Sequence, residues 1–237
     1  MKNLLLLLCC VIGSHVLGQQ TVINDANAET RTIGAFTGIR VSDGITLYLS
    51  QSSGYSLAVS ASDSASRAEI TTVVRDHILY ISVAGKPWKH WHGRDFRVYV
   101  SFTELENLEA SGACSVYING TLHANTLRTR LSGASTLDGN ISVGTLSFEL
   151  SGASVARLTG DAQNVKIDAS GASDVKSFGL KSQNCMAALS GASDVRLSIA
   201  QSVVATASGA STLYFDGSPE KREVRTSGAS SISQKSE

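Results

Sequence analysis

The sequence predicts an all-β chain folded as a β-solenoid, a stack of coils about 19 residues long, and three observations lead there. The tripeptide Ser-Gly-Ala recurs at Ser111, Ser132, Ser151, Ser170, Ser190, Ser208 and Ser227, at intervals of 21, 19, 19, 20, 18 and 19 residues. Self-similarity at a near-constant period marks a repeat architecture. On either side of each copy apolar and polar residues alternate, the period of a strand with one buried face. A coil of 18 to 21 residues cannot bury its apolar face alone, whereas stacking neighbours on it does. Propeller blades need repeats about twice this length, and the Leu/Asn consensus of leucine-rich repeats is absent.

Composition agrees with a folded chain of unusual chemistry. Of 237 residues, 36 are Ser and 21 Gly, yet 42% are hydrophobic, too many for a disordered Ser/Gly linker. Twenty Lys+Arg balance twenty Asp+Glu, with no basic cluster on any one segment. The electrostatic term that dominates nucleic-acid affinity is therefore missing, and nucleic acid is not an expected partner.

Residues 1–18 read as a secretory signal peptide. Lys2 supplies the positive start, Leu4 to Ile12 a short apolar stretch, and Val16-Leu17-Gly18 a cleavage site. The apolar stretch falls short of the roughly 20 residues that span a bilayer, and no later segment approaches that length. The mature chain is expected to be exported, without a transmembrane segment, to the periplasm, the outer-membrane surface or the medium. Cys9 and Cys10 invite a lipid anchor, but that processing wants a small residue before the Cys, and Leu8 and Cys9 stand there. Residues 19–35 form a lead-in.

The solenoid domain is expected over residues 36–217, with irregular strands and a cap over 36–100, regular repeats over 101–217, and the last repeat with a C-terminal tail over 218–237. In the first part Ile39, Val41, Ile45, Leu47 and Leu49 alternate, as do Leu57 with Val59 and Phe96 with Val98 and Val100, punctuated by Gly44, Gly54 and Asp76. Solenoids need atypical ends to block edge-to-edge growth. In the repeats, inward positions five, three and one before the motif hold sets such as Leu146, Phe148 and Leu150. Alternation resumes five residues after it, at Val116, Leu137, Ala156, Val175, Val195, Leu213 and Ile232. The motif between is a corner. Its glycines, Gly112, Gly133, Gly152, Gly171, Gly191, Gly209 and Gly228, can take positive φ, and the flanking small residues let one corner pack on the next. Strands about 4.8 Å apart would build a ladder of corners roughly 30 Å long.

This scheme separates Cys114, which replaces a corner Ser, from Cys185 at an inward position three coils away. Three steps of about 4.8 Å exceed the roughly 7 Å limit between bridged Cα atoms, so two free, buried thiols are expected.

Few residues suggest chemistry. The segment Lys86 to Asp95 holds both Trp residues, and Trp88 and Trp91 with Lys89 and Arg94 form a candidate ligand-contact loop; its plain alternative is an excursion covering the solenoid end. His90 and His92 alone do not fill a zinc site. Asp174 and Asp194 occupy the same position in consecutive coils, but Lys176 and Arg196 follow on the same face and offset them. The repeated Ser residues lack a repeating base, His123 being the only His beyond residue 92. No dinucleotide, P-loop, H-E-x-x-H or C-x-x-C motif occurs. No catalytic residue, cofactor or metal is expected.

Phe36-Thr37-Gly38-Ile39-Arg40-Val41, then Gly44-Ile45-Thr46-Leu47-Tyr48-Leu49-Ser50-Gln51, then the Ser-Gly-Ala-Ser ladder, resemble the head GIN domain of putative autotransporter adhesins, the DUF2807 family, over about residues 36–217. The resemblance implies an exported bacterial protein, typically Gram-negative, with a right-handed β-solenoid-like fold. The expected role is a non-catalytic envelope protein binding a cell-surface or polysaccharide ligand. The alternatives are a structural component that forms homo-oligomers through its solenoid ends, and a polysaccharide-active enzyme, which would need a groove with clustered Asp and basic residues.

Overall fold

The computed structural model describes residues 25–85 and 95–235, and in it the alternating residues become a single β-solenoid. Strands β9 (Ser115–Leu131), β10 (Thr136–Leu150), β11 (Val155–Ala169), β12 (Asp174–Leu189) and β13 (Asp194–Ala207) run parallel, one per coil. The halves of each strand belong to different faces. The first half of β9 pairs with β3 (Thr46–Gln51) and its second half with β8 (Asn107–Ala110). The first half of β13 pairs with β14 (Thr212–Asp216) and its second half with β15 (Lys221–Thr226). Each coil therefore has an after-corner segment, a second turn and a before-corner segment. Inward residues from both faces, such as Leu146, Phe148, Val175 and Val195, are at most 2% exposed.

The corners stack as the repeat demands. All seven motif glycines have φ between +71° and +74°, a region costly to residues with a Cβ. The backbone N–H of Ala172 donates to Gly152 O, and that of Ala192 to Gly171 O, both at 2.7 Å. In the five motifs from Ser132 to Ser208 the Ser at the fourth position is buried, and its hydroxyl donates to the carbonyl of the first, as from Ser154 to Ser151 O and Ser173 to Ser170 O, both at 2.7 Å. Cys114 does the same at the first corner, its Sγ lying 3.1 Å from Ser111 O. Cys114 and Cys185 are free and buried, and burial pushes the Cys185 thiol up to about 12.

At the N-terminal end, chain order and spatial order part company. The first coil in sequence, β2 (Gly38–Val41) with β3, lies between the coil of β6 (Ile78–Val83) and β7 (Arg97–Phe102) and the coil that starts with β8. Its corner is Asp43-Gly44, both at positive φ, and Gly112 stacks on Asp43. Residues 36–100 thus contain two coils of the stack together with an antiparallel end. There β4 (Ser56–Ser60) pairs with β7 and β1 (Glu29–Arg31), and β5 (Ile70–Arg75) pairs with β6. The short helix α1 (Ser64–Glu69), N-capped by Asp63 accepting from Ser66 N–H at 2.8 Å, links β4 to β5. Arg31 fastens this end by donating to Ile70 O and Arg67 O.

The last coil, β15 followed by β16 (Ser231–Gln234), puts polar groups at inward positions. Arg222 pairs in register with Val203, Thr226 with Ala207 and Gln234 with Phe215. The Arg222 guanidinium lies 5.3 Å from the Phe215 ring and donates to Gln234 Oε1 at 2.6 Å. An inward charge on an edge strand is a known device against further strand addition. Among the described residues no helix is long and apolar enough to cross a membrane.

Candidate functional site

The second turns of successive coils line up into a groove that follows the stack. Its volume is about 800 Å³, and the coils from β9 to β14 line it. Strand register sets its walls. Ser142 pairs with Asp161, Asp161 with Lys181, Lys181 with Ser198, and Ser198 with Asp216. Just past this row the amides of Asn125, Gln163 and Gln183 come from three coils. Between the two polar rows lies a floor of Val143, Ala162, Ser182 and Ile199, at most 6% exposed. The backbones approach closely here: a Cβ on Gly144 would lie 2.7 Å from Asn125 O.

Toward the N-terminal end the groove continues into a second recess of about 540 Å³, sharing Asn125 and Ser142 and bounded by Glu104 and Glu106. The Gln51 side chain crosses it. Its amide donates to Thr103 O at 2.9 Å and His123 O at 3.0 Å and accepts from His123 N–H at 2.8 Å, replacing ladder bonds where the coils change register.

The two carboxylates of the main groove are far apart. Asp161 and Asp216 stand three coils apart, about 14 Å, outside the roughly 5–9.5 Å that paired carboxylates use on a glycosidic bond. His123, Ser142 and Asp161 are neighbours in register, but in that order the serine, not the histidine, is central, so Asp161 is not placed to orient the imidazole. The Ser182 and Ser198 hydroxyls donate to the carbonyls of Ser198 and Phe178 at 2.8 and 2.7 Å. These are structural bonds.

Asp174 and Asp194 are register partners, on the exposed after-corner face rather than in the groove. Lys176 Nζ lies 2.9 Å from Asp174 and Arg196 Nε 3.0 Å from Asp194, the charge offset expected from the sequence. Trp88, Lys89, Trp91 and Arg94, with His90 and His92, fall in 86–94, outside the described residues. No residue of the groove was singled out in the sequence. The available signal was a polar residue recurring roughly ten positions after each corner.

The family model described as "Putative auto-transporter adhesin, head GIN domain" matches residues 35–219. Among solved structures, a putative adhesin from Bacteroides fragilis has a TM-score of 0.79 at 18% identity, covering 87% of this chain and 95% of that one. A putative lipid binding protein from Parabacteroides distasonis gives 0.65 at 18% identity, covering 90% and 98%. A putative adhesin from Parabacteroides merdae gives 0.62 at 16% identity, covering 88% and 95%. At these identities the likeness is one of fold. No curated protein matches the chain.

Proposed function

The chain belongs to the head GIN domain family of putative auto-transporter adhesins, and on that premise we propose that it is an exported, non-catalytic binding scaffold of the bacterial envelope whose ligand is an extended glycan lying along the second-turn groove. The observation that carries this reading is the groove's cross-section. It has polar walls of amide, hydroxyl and charged groups over a floor that is apolar at Val143, Ala162 and Ile199 and carries Ser182 in one coil. A sugar ring has hydroxyls at its edges and C–H groups on its faces, so it can meet walls and floor at once. Polar groups of varying type one strand spacing apart, about 4.8 Å, suit a polymer that offers hydroxyls along its length, and linked weak contacts add through effective concentration. The signal-like residues 1–18 support export, and the wide carboxylate spacing favours binding over hydrolysis.

The 86–94 segment adds a second element to the proposal. Trp88 and Trp91 form an aromatic contact for an extracellular ligand, with Lys89 and Arg94 as polar contacts. A glycan array with the purified mature chain tests the whole reading. Binding should fall at least tenfold in Gln163→Ala/Gln183→Ala with an unchanged melting temperature. Full binding by that variant would exclude the groove, and full binding by Trp88→Ala/Trp91→Ala would exclude the loop.

A further inference from the structure

The exposed surface of the after-corner sheet carries a row of residues unlike the Ser/Thr-rich remainder. At its N-terminal end Tyr99, Tyr48 and Tyr117 are register neighbours, with ring centroids 5.1 and 5.5 Å apart and nearly parallel planes. Tyr117 is 37% exposed. Asp138 follows Tyr117, and Arg157 follows Asp138. Because Ala156 pairs with Val175, Lys176 comes next, then Arg196 and Tyr214. Tyrosine and arginine are the residue types enriched in interface cores and hot spots.

We propose that this face is a self-complementary interface joining two copies of the chain about a two-fold axis. Place the axis parallel to the strands, between the coils of Asp138 and Arg157. The second copy's row then runs in reverse over the first. Asp138 meets Arg157 of the other copy, twice by symmetry. Tyr117 faces Lys176 and Tyr48 faces Arg196, so phenol oxygens meet cationic donors, and Tyr99 faces Tyr214.

The adjacent row, two residues nearer the corner, fits under the same axis. Thr46 comes opposite Asp194, Ser115 opposite Asp174, and Thr136 opposite Val155, so hydroxyls face the two carboxylates. No like charges meet in either row. Eight coils at about 4.8 Å and five residues at about 3.3 Å give about 600 Å² per copy, near 1,200 Å² in total, the lower end of stable interfaces. Rotation about an axis along the strands keeps strand direction. Both second-turn grooves therefore open on the same side of the dimer, where a bound polymer gains from two sites.

Sedimentation equilibrium of the purified chain tests the proposal. A concentration-dependent dimer, weakened by salt, is expected. Asp138→Arg should weaken it at least tenfold, because one substitution creates two Arg–Arg contacts. The swap Asp138→Arg/Arg157→Asp should restore it, since both pairs re-form with reversed sign. Circular dichroism of each variant should be unchanged, the intrachain pair being exposed and 3.3 Å apart. A chain that stays monomeric to about 1 mM overturns the proposal. So does a dimer that tolerates Asp138→Arg, or a monomer that loses glycan binding on Tyr48→Ala, which would make the face a ligand surface instead.

Discussion

A single methyl group added at Gly171 should cost far more than the same methyl at Gly112, although both glycines belong to the same motif and share the same φ. At Gly171 the new Cβ would lie 2.6 Å from Gly152 O and 3.0 Å from Gly152 N, and that oxygen already accepts the Ala172 N–H at 2.7 Å. Gly191 is stacked in the same way on Gly171, so the backbone cannot retreat outward. The left-handed conformation alone costs an L-residue about 1–2 kcal/mol. Moving the coil enough to relieve the contact weakens two corner hydrogen bonds worth about 1 kcal/mol each. The sum is about 3–4 kcal/mol. At Gly112 the nearest atom is Asp43 N at 3.5 Å, an ordinary contact, and the neighbouring Ala113 already holds φ +72°; only the conformational cost of about 1–2 kcal/mol remains. Gly228→Ala meets Gly209 O at 2.9 Å in the exposed last coil, which can shift, and should resemble Gly112→Ala. For a chain of this size 1 kcal/mol moves the melting temperature by about 2–4 °C. Gly171→Ala should therefore melt about 6–16 °C below the parent and Gly112→Ala about 2–8 °C below it. Equal losses for the two variants, measured by thermal and urea unfolding, would refute the stacked-corner argument.

Ser173→Ala removes the hydroxyl that closes its corner and should cost about 1 kcal/mol in urea unfolding, whereas Ser173→Cys should cost less, because Cys114 performs the same task. At pH 8 an aromatic disulfide reagent should leave Cys185 unmodified in the native chain, since its thiol is buried and pushed up to about 12; rapid native labelling would show that the core opens there. Burial works to raise the Asp25 carboxyl, but hydrogen bonds from Ser60, the Asn27 N–H and Tyr99, with the Arg97 charge, bring it below its usual 3.8. The stability it supplies is full above that value and lost as pH falls through the lower folded one. Asp25→Asn should thus lower the melting temperature at pH 7 and flatten its fall below pH 3.8, and a variant that keeps the parent's acid profile would contradict this.

The repeats were legible because a fixed period carries its own register: once Ser-Gly-Ala sets position zero, every inward residue from Leu127 to Ala207 follows by counting. The free, buried state of Cys114 and Cys185 followed from the same count. The threading of β2 and β3 between later strands was not legible. Pairing among non-repeated segments depends on tertiary closure that no local pattern records, although Asp43-Gly44, five residues before Tyr48, occupies the corner's place. The groove escaped notice for a related reason. Its residues change type from coil to coil, as in Ser142, Asp161, Lys181 and Ser198, and the register shifts between Ala156 and Gly160 and between Ser177 and Lys181 break the count just before reaching them. Aromatic content drew attention to residues 86–94 instead, which lie outside the described part of the chain.

Hydrogen exchange of the chain with and without the tightest-binding oligosaccharide from the array tests the central reading most directly. Added protection should appear at residues 142–144, 161–163 and 181–183, on consecutive coils, and should shorten by a coil when the oligosaccharide is shortened. Protection confined to other surfaces, with these three turns exchanging as in the free chain, would contradict it.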